Sequence, residues 1–320
     1  MPMKILVANL GSTSFKYRVY QMEGDEATSL AKGGYERVTD FEAVISDCLD
    51  SLTSEGVIGK SGGLDAVGFK TVLGDGITGC VLADEKVLKA LESIQQIAPS
   101  HNPAYASGIR QFAKLVPEVP RVALFETAFY QWMDPAAERY AVPDRWYQAG
   151  VRRYGFHGAS HKFITERTAE LLGRGDVAAI TRDLYLKGPA ETGKAPLRII
   201  SCHLGGSSSI TFTSDGVARG CSFGLSPQSG LPQNNRVGDL DSMAIPFAME
   251  RLKLSLPEAL EDLSKEGGLK GLSCGKGTDL RDIEAAADSG DQASILAIDF
   301  ALAVVTKNTY LTFWPLKSIV

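Results

Sequence analysis

The chain has 320 residues, 44% of them hydrophobic and 22% charged, a balance that suits a globular protein with two cores and excludes a disordered or fibrous one. With 33 Lys and Arg against 38 Asp and Glu the net charge is −5, which excludes a broad basic surface for nucleic acid or an anionic membrane. Any anion site has to be local.

Met1 to Lys4 runs straight into an apolar strand without the pattern of a secretory leader, and no apolar run reaches the roughly 20 residues a membrane helix needs. A cytoplasmic protein is expected. The five cysteines (Cys48, Cys80, Cys202, Cys221 and Cys274) are odd in number and widely spaced, and are expected as reduced structural thiols rather than a disulfide or zinc framework.

Strands are predicted at about 4–9, 15–20 and 28–35, an opening meander with turns at Gly11–Ser14 and Gly24-Asp25. A helix follows over 40–54, with Thr39-Asp40 as cap and Phe41, Val44, Ile45, Cys48 and Leu49 on one face. Leu64–Thr71 reads as a strand and Gly74-Asp75-Gly76 as a loop. Helices near 83–97 and 103–115 are separated by Ala98-Pro-Ser-His-Asn-Pro103, whose prolines stop one and start the other. Val119–Phe125 is a buried strand ending at Glu126. A helix near 160–173 has Ser160 as a possible cap, and 174–196 reads as a surface excursion. A second meander spans 197–222, and helices fill most of 240–313. The order indicates α/β domains with mixed sheets.

One local pattern occurs twice. An apolar strand enters a Gly/Ser-rich turn and leaves as another strand, first as Ile5–Tyr17 and again as Ile199–Thr211, with Asn9 matched to His203. Such a duplication suggests two related halves. Glycines let backbone N–H groups converge on an anion and hydroxyls add donors, so two such turns are suited to gripping a phosphorylated ligand between domains. The plain alternative is a pair of hairpins with ordinary turn residues.

Seven motifs in order carry a resemblance: Asn9-Leu-Gly-Ser-Thr-Ser-Phe-Lys16, Ala98–Pro103, Phe125-Glu-Thr-Ala-Phe129, Arg153-Tyr-Gly-Phe-His-Gly-Ala-Ser-His-Lys162, Cys202-His-Leu-Gly205, Asn235-Arg-Val-Gly-Asp239 and Thr278-Asp-Leu-Arg-Asp282. From Lys4 to about Lys307 the chain resembles the acetate kinases and the wider short-chain carboxylate kinases. The resemblance implies an α/β fold of two duplicated ribonuclease H-like domains, as in sugar kinases, Hsp70 and actin, around a nucleotide cleft. Residues 1–149 would form the acyl-substrate side and 150–320 the nucleotide side.

The implied reaction moves the γ-phosphoryl of ATP, with Mg²⁺, reversibly onto acetate or another short-chain carboxylate. Phosphoryl transfer of this kind depends on positioning and charge neutralisation. By similarity, His157 and Arg236 stabilise the transferring group, Glu126 takes the place of the family's catalytic aspartate, and Lys70 that of its substrate-site arginine. Asn9 stands on the metal side. Ser12, Ser14, Lys16, His203, Gly205, Gly206, Ser207, Asp279 and Arg281 serve nucleotide and phosphate. A homodimer is implied as well.

Several positions depart from the family. Lys70 keeps the charge of the arginine without its planar fork, Glu126 is one methylene longer than aspartate, Tyr130 replaces a histidine and Gly206 an asparagine. Past about Lys307 the expected strand, adenosine loop and closing helix are not matched, so the second domain is expected to be incomplete, with weak ATP affinity, an exposed sheet edge and uncovered apolar surface. The second reading is therefore a catalytically impaired or inactive relative that binds phosphate or nucleotide, or an interaction protein.

Overall fold

The computed structural model describes residues 2–11, 13–24, 26–59, 63–95 and 102–313. Two compact units make up the chain, Met1–Gln131 and Trp132–Val320. The division falls before the expected 149/150 boundary because 132–149 packs against residues of the second unit. The Tyr140 hydroxyl accepts a hydrogen bond from Leu225 N, Arg153 N donates to Glu138 O, and the Arg153 guanidinium lies over the Tyr140 ring.

In the first unit the strands are β1 (Met3–Leu10), β2 (Ser14–Glu23), β3 (Glu26–Glu36), β4 (Ala66–Thr71), β5 (Cys80–Leu82) and β6 (Arg121–Phe125), with helices α1 (Phe41–Ser54), α2 (Glu85–Ser93) and α3 (Asn102–Leu115). The sheet order is β3-β2-β1-β4-β6-β5. β1–β4 and β4–β6 are parallel and the remaining pairs antiparallel, the mixed sheet the sequence implies. Asp40 caps α1 by accepting from Glu42 N and Ala43 N, which satisfies two otherwise unpaired donors of its first turn.

Leu6, Ala8, Leu10, Phe15 and Val19 are wholly buried, and Phe69 meets Phe112 of α3 edge to face at 5.5 Å. Helix α3 lies so close to β1 that a Cβ on Gly108 would stand 2.5 Å from Leu10.

The second unit opens with the short helices α4 (Pro135–Glu138) and α5 (Asp144–Gln148), then α6 (Gly158–Leu171), α7 (Gly175–Lys187) and the strands β7 (Arg198–Leu204), β8 (Ser208–Ser214) and β9 (Val217–Cys221). Helices α8 (Ala244–Leu252), α9 (Leu256–Glu261), α10 (Gly268–Leu272), α11 (Leu280–Asp288) and α12 (Gln292–Phe313) complete it. The strands form an antiparallel sheet in the order β7-β8-β9. Among the described residues β7 is an edge strand, and Leu296, Phe300 and Leu302 of α12 are exposed.

Two expectations are corrected. The segment 174–196 is not a surface excursion: α7 buries Val177, Ala178, Thr181 and Leu184, and a Cβ on Gly216 of the β8–β9 turn would meet the Thr181 hydroxyl at 2.3 Å. Its glycines punctuate the helix ends; Gly188 closes it at φ +74°. The cysteines are also less buried than expected. All five are free thiols, but Cys80, Cys202 and Cys274 are exposed and only Cys48 is buried.

The candidate active site

Each unit carries its own set of candidate side chains, and in the first unit Asn9, Lys70 and Glu126 lie at the carboxyl ends of three adjacent parallel strands. This is where ligands bind in open α/β sheets. Asn9 stands near the end of β1, Lys70 near the end of β4, and Glu126 directly after β6. The Glu126 carboxylate is 2.6 Å from Lys70 Nζ, with 11% of the acid side chain exposed against 49% of the lysine. Glu126 N donates to Thr71 O, which ties the end of β6 to β4. The acid is held from inside while the ammonium reaches solvent.

The Tyr105 hydroxyl of α3 donates to Asn9 Oδ1 at 3.1 Å. Burial first, and then the charge of Glu126, raise the Tyr105 pKa above the ordinary phenol value, so this hydroxyl keeps its proton and fixes the amide orientation of Asn9. Lys16 faces Asn9 across the hairpin but pairs with Glu36 at 3.1 Å, both exposed. Gly11 N donates to Ser14 O, and the Ser14 hydroxyl stands 2.6 Å from where a Cβ on Gly11 would lie. Ser12 and His101 lie outside the described residues. Asn102 is structural: its buried amide donates to Leu73 O and Leu91 O. Tyr130 is also buried.

The second unit gathers three histidines. His157 is the residue before α6 and adopts φ +60° without capping the helix through its side chain. Ser160, expected to cap it, sits inside the helix, with its Oγ 2.9 Å from His203 Nδ1. The left-handed region is uncommon for a non-glycine residue, and here it starts α6 so that His157 and His161 both face the sheet. The His157 and His203 rings are 4.1 Å apart between centroids. His157 Nδ1 is 2.8 Å from Ser209 Oγ, and His161 bridges Ser201 and Ser209 at 2.8 and 2.9 Å. His161 is wholly buried; burial, followed by His157 and His203, lowers its pKa to about 3. Ser201, His161 and Ser209 were not marked by the sequence reading, although Ser201 and Ser209 sit inside the second hairpin and His161 inside the Arg153–Lys162 motif.

Arg236 lies on the loop after β9. Its Nη1 is 3.1 Å from Pro227 O, 3.4 Å from Ser207 Oγ and 3.5 Å from Gln233 Oε1. Ser207 donates to Gln233 Oε1 at 2.6 Å, so the turn after β7 and the arginine loop share one polar network. The start of α10 holds that loop: Leu269 N donates to Gln233 O and Lys270 N to Asn234 O. Gly268, at φ +61°, leaves room for it, since a Cβ there would stand 2.1 Å from Gln233 O. Gly205 and Gly206 are exposed, and Asn234 Nδ2 lies 3.2 Å from where a Cβ on Gly206 would be.

Asp279 and Arg281 are not drawn into this network. Asp279 caps α11 through Arg281 N and forms a two-pronged ion pair with the Arg281 side chain, which holds the acid below the usual carboxylate range.

Among the described residues no group of three or more His, Cys, Asp or Glu could hold a metal ion. The donors suit a Mg²⁺ that arrives on phosphates, because Mg²⁺ keeps several waters and needs few protein ligands. Asn9 Oδ1 retains a lone pair beside the one that accepts from Tyr105. No described helix is long and apolar enough to cross a membrane.

The sequence model of the Acetokinase family matches residues 34–311. Acetate kinase of Geobacillus kaustophilus (strain HTA426) is 36% identical, over 92% of this chain and 76% of that protein. Acetate kinase of Macrococcus caseolyticus (strain JCSC5402) is 37% identical, over 92% and 75%. Among solved structures, Porphyromonas gingivalis acetate kinase superposes with a TM-score of 0.80 at 30% identity, covering 97% of this chain and 79% of that one. A propionate kinase from Francisella tularensis gives 0.80 at 28%, covering 97% and 80%. These matches extend through both units, and the chain belongs to the acetokinase family.

Proposed function

We propose that the chain transfers the γ-phosphoryl group of ATP to acetate or another short-chain carboxylate, reversibly, giving an acyl phosphate and ADP. The observation that carries this reading is the pairing of family membership with an arginine, Arg236, whose guanidinium is held by Pro227 O, Ser207 and Gln233 in a loop buttressed by α10.

A carboxylate oxygen of the acceptor attacks the γ-phosphorus while the bond to the β–γ bridging oxygen breaks, and the electron pair leaves with ADP. The first unit handles the acceptor. Lys70 attracts its carboxylate, and Glu126 anchors Lys70 at the strand ends. The second unit handles the phosphoryl group, where Arg236 matches phosphate oxygens with paired N–H donors and His157 adds another donor. Gly205, Gly206 and Ser207 supply the turn beside them, with Ser14 and Lys16 on the other hairpin. Asp279 and Arg281 serve the nucleotide. Asn9 would help hold a Mg²⁺ that arrives on the phosphates, and the metal would supply charge neutralisation there.

The protein works in the cytoplasm as a homodimer in this reading, with the exposed apolar residues of α12 available to a second copy; sedimentation at micromolar concentration tests the dimer. The reaction is tested by ADP release from Mg·ATP with acetate, propionate and butyrate in turn. Release that depends on the acid supports the proposal. Release that ignores it, or none from cooperatively folded protein, contradicts it.

A further inference from the structure

Four side chains of the second unit form one unbroken run of hydrogen bonds: Ser201 Oγ to His161 Nδ1, His161 Nε2 to Ser209 Oγ, and Ser209 Oγ to His157 Nδ1, at 2.8, 2.9 and 2.8 Å. Ser201 is 2% exposed, and His161 and Ser209 are fully buried, so each link has to be satisfied from within. A neutral imidazole has one N–H and one lone pair, and a hydroxyl has one proton to give. His161 is neutral in the folded chain, held so by burial. Ser209 has a single proton for two ring nitrogens. If it donates to His157, His161 must donate to it through Nε2, and Ser201 must then donate to His161 Nδ1. Run the other way, His157 donates through Nδ1, Ser209 to His161 Nε2, and His161 Nδ1 to Ser201. Of the two mixed arrangements, one leaves the Ser209 proton without a ring nitrogen and the other leaves a ring nitrogen without a proton.

We propose that Ser201, His161 and Ser209 are positioning residues that lock neutral His157 as its Nε2–H tautomer, and that protonation of His157 reverses all three hydrogen bonds together. The inference rests on the reading of His157 as a donor to the phosphoryl group: only the first direction leaves a neutral His157 with its proton on Nε2, where a bare lone pair would repel phosphate oxygen. The Nε2–H form is also the tautomer that histidine side chains favour in water. When His157 takes a second proton, Nδ1 becomes a donor, Ser209 must turn toward His161, and His161 must move its own proton from Nε2 to Nδ1. The surroundings of His157 are His161 on its own helix, His203 from β7, Ser209 from β8 and the Phe223 ring beyond β9. The left-handed backbone at His157 fixes where its ring begins, and the relay fixes which nitrogen carries the proton.

The test is ¹⁵N NMR of protein labelled in its histidine rings, with signals assigned by His157→Gln and His161→Gln. At pH 8 both rings are expected as Nε2–H tautomers. As pH falls, His161 is expected to change to Nδ1–H with the midpoint of His157 ionisation while remaining neutral. A His157 that is Nδ1–H at pH 8, or a His161 whose tautomer ignores the His157 titration, overturns the proposal. Ser209→Ala should release His157 to the mixture of tautomers seen in water and lower kcat by about 10–100-fold, the usual loss for a group supporting a functional ligand, with little change in KM for the carboxylate. Ser209→Thr, which keeps the hydroxyl, should restore the lock; an unchanged tautomer in Ser209→Ala would sink the idea. If Ser209→Ala does not fold, the wild-type titration alone decides. The tautomers are read without turnover, so a locked His157 in a protein that makes no acyl phosphate would refute the proposed reaction and leave the relay standing.

Discussion

At the mouth of the first Gly/Ser hairpin Asn9 faces Lys16, whereas at the mouth of the second His203 faces Ser209. The sequence pattern treats the two as copies, with Asn9 matched to His203. Yet Leu10 pairs with Phe15 in one and Leu204 with Ser208 in the other, so the second turn is one residue shorter and Ser209, not Ile210, takes the strand position of Lys16. Lys16 is exposed and pairs with a surface glutamate. Ser209 is buried beneath α6 and joins two histidines.

One local pattern therefore yields two kinds of chemistry, and the packed helix decides which. Helix α3 brings a single tyrosine to β1, which leaves the first mouth open to solvent. Helix α6 brings two histidines to β7 and β8, which makes the second mouth a closed polar network. Substitutions on the two sides separate these roles.

The largest effect is expected at Arg236. Arg236→Ala should lower kcat by about 10³-fold or more, in the range of arginines that stabilise phosphoryl transfer, and Arg236→Lys should recover little because it lacks the paired donors. Steady-state kinetics showing the loss in KM alone would move Arg236 from the transition state to ground-state binding. On the first unit, Lys70→Ala should raise KM for the carboxylate by about 10–100-fold, the scale of a hydrogen bond to a charged group. Lys70→Arg should retain binding, and Glu126→Gln should weaken it by freeing the ammonium from its anchor. Equal kinetics in all three would remove the pair from the acceptor site.

Stability against pH tests the closed network. Unfolded His161 takes a proton below its ordinary value of 6.5, while the folded group resists until about 3. The unfolded chain thus binds more protons across that window, so His161 should lower stability as pH falls from 6.5 toward 3, by at most about 1.4 kcal/mol per pH unit. His161→Gln should flatten that part of a denaturant-measured profile; an unchanged slope would place the acid sensitivity elsewhere. Gly268→Ala should cost about 1–3 kcal/mol from its left-handed backbone alone and should lower kcat, because α10 can no longer seat against Gln233 and Arg236 without displacement. The smallest effect belongs to the open mouth: Lys16→Ala should change stability by less than about 1 kcal/mol in thermal melts, as for exposed ion pairs generally.

Most of the first unit was legible in the sequence because its signals are local. An apolar run entering a Gly/Ser-rich turn marks β1 and β2, and Asp40 caps α1; most of the proline-bounded linker after α2 lies outside the described residues. The three-residue β5 is too short to carry a period, and α7 was hidden because glycines at its ends made the whole stretch read as loop. The candidate side chains were legible as a set of motifs, and the structure puts Lys70 near the end of β4 and Glu126 directly after β6. Their ion pair was not legible, since it depends on the parallel register of β4 and β6. Nor was the role of Ser160 or Ser209, because a serine looks alike as cap, turn or buried partner until the helix above it is placed. The one-residue difference between the hairpins is equally invisible to an alignment without a gap.

The most direct test of the account is acyl phosphate formation from Mg·ATP and acetate, trapped as the hydroxamate, with wild type and Arg236→Ala assayed side by side after both show one cooperative melt. The account predicts acid-dependent hydroxamate from wild type and a loss of about 10³-fold in the variant. Hydroxamate formed equally by both, or by neither, would contradict it.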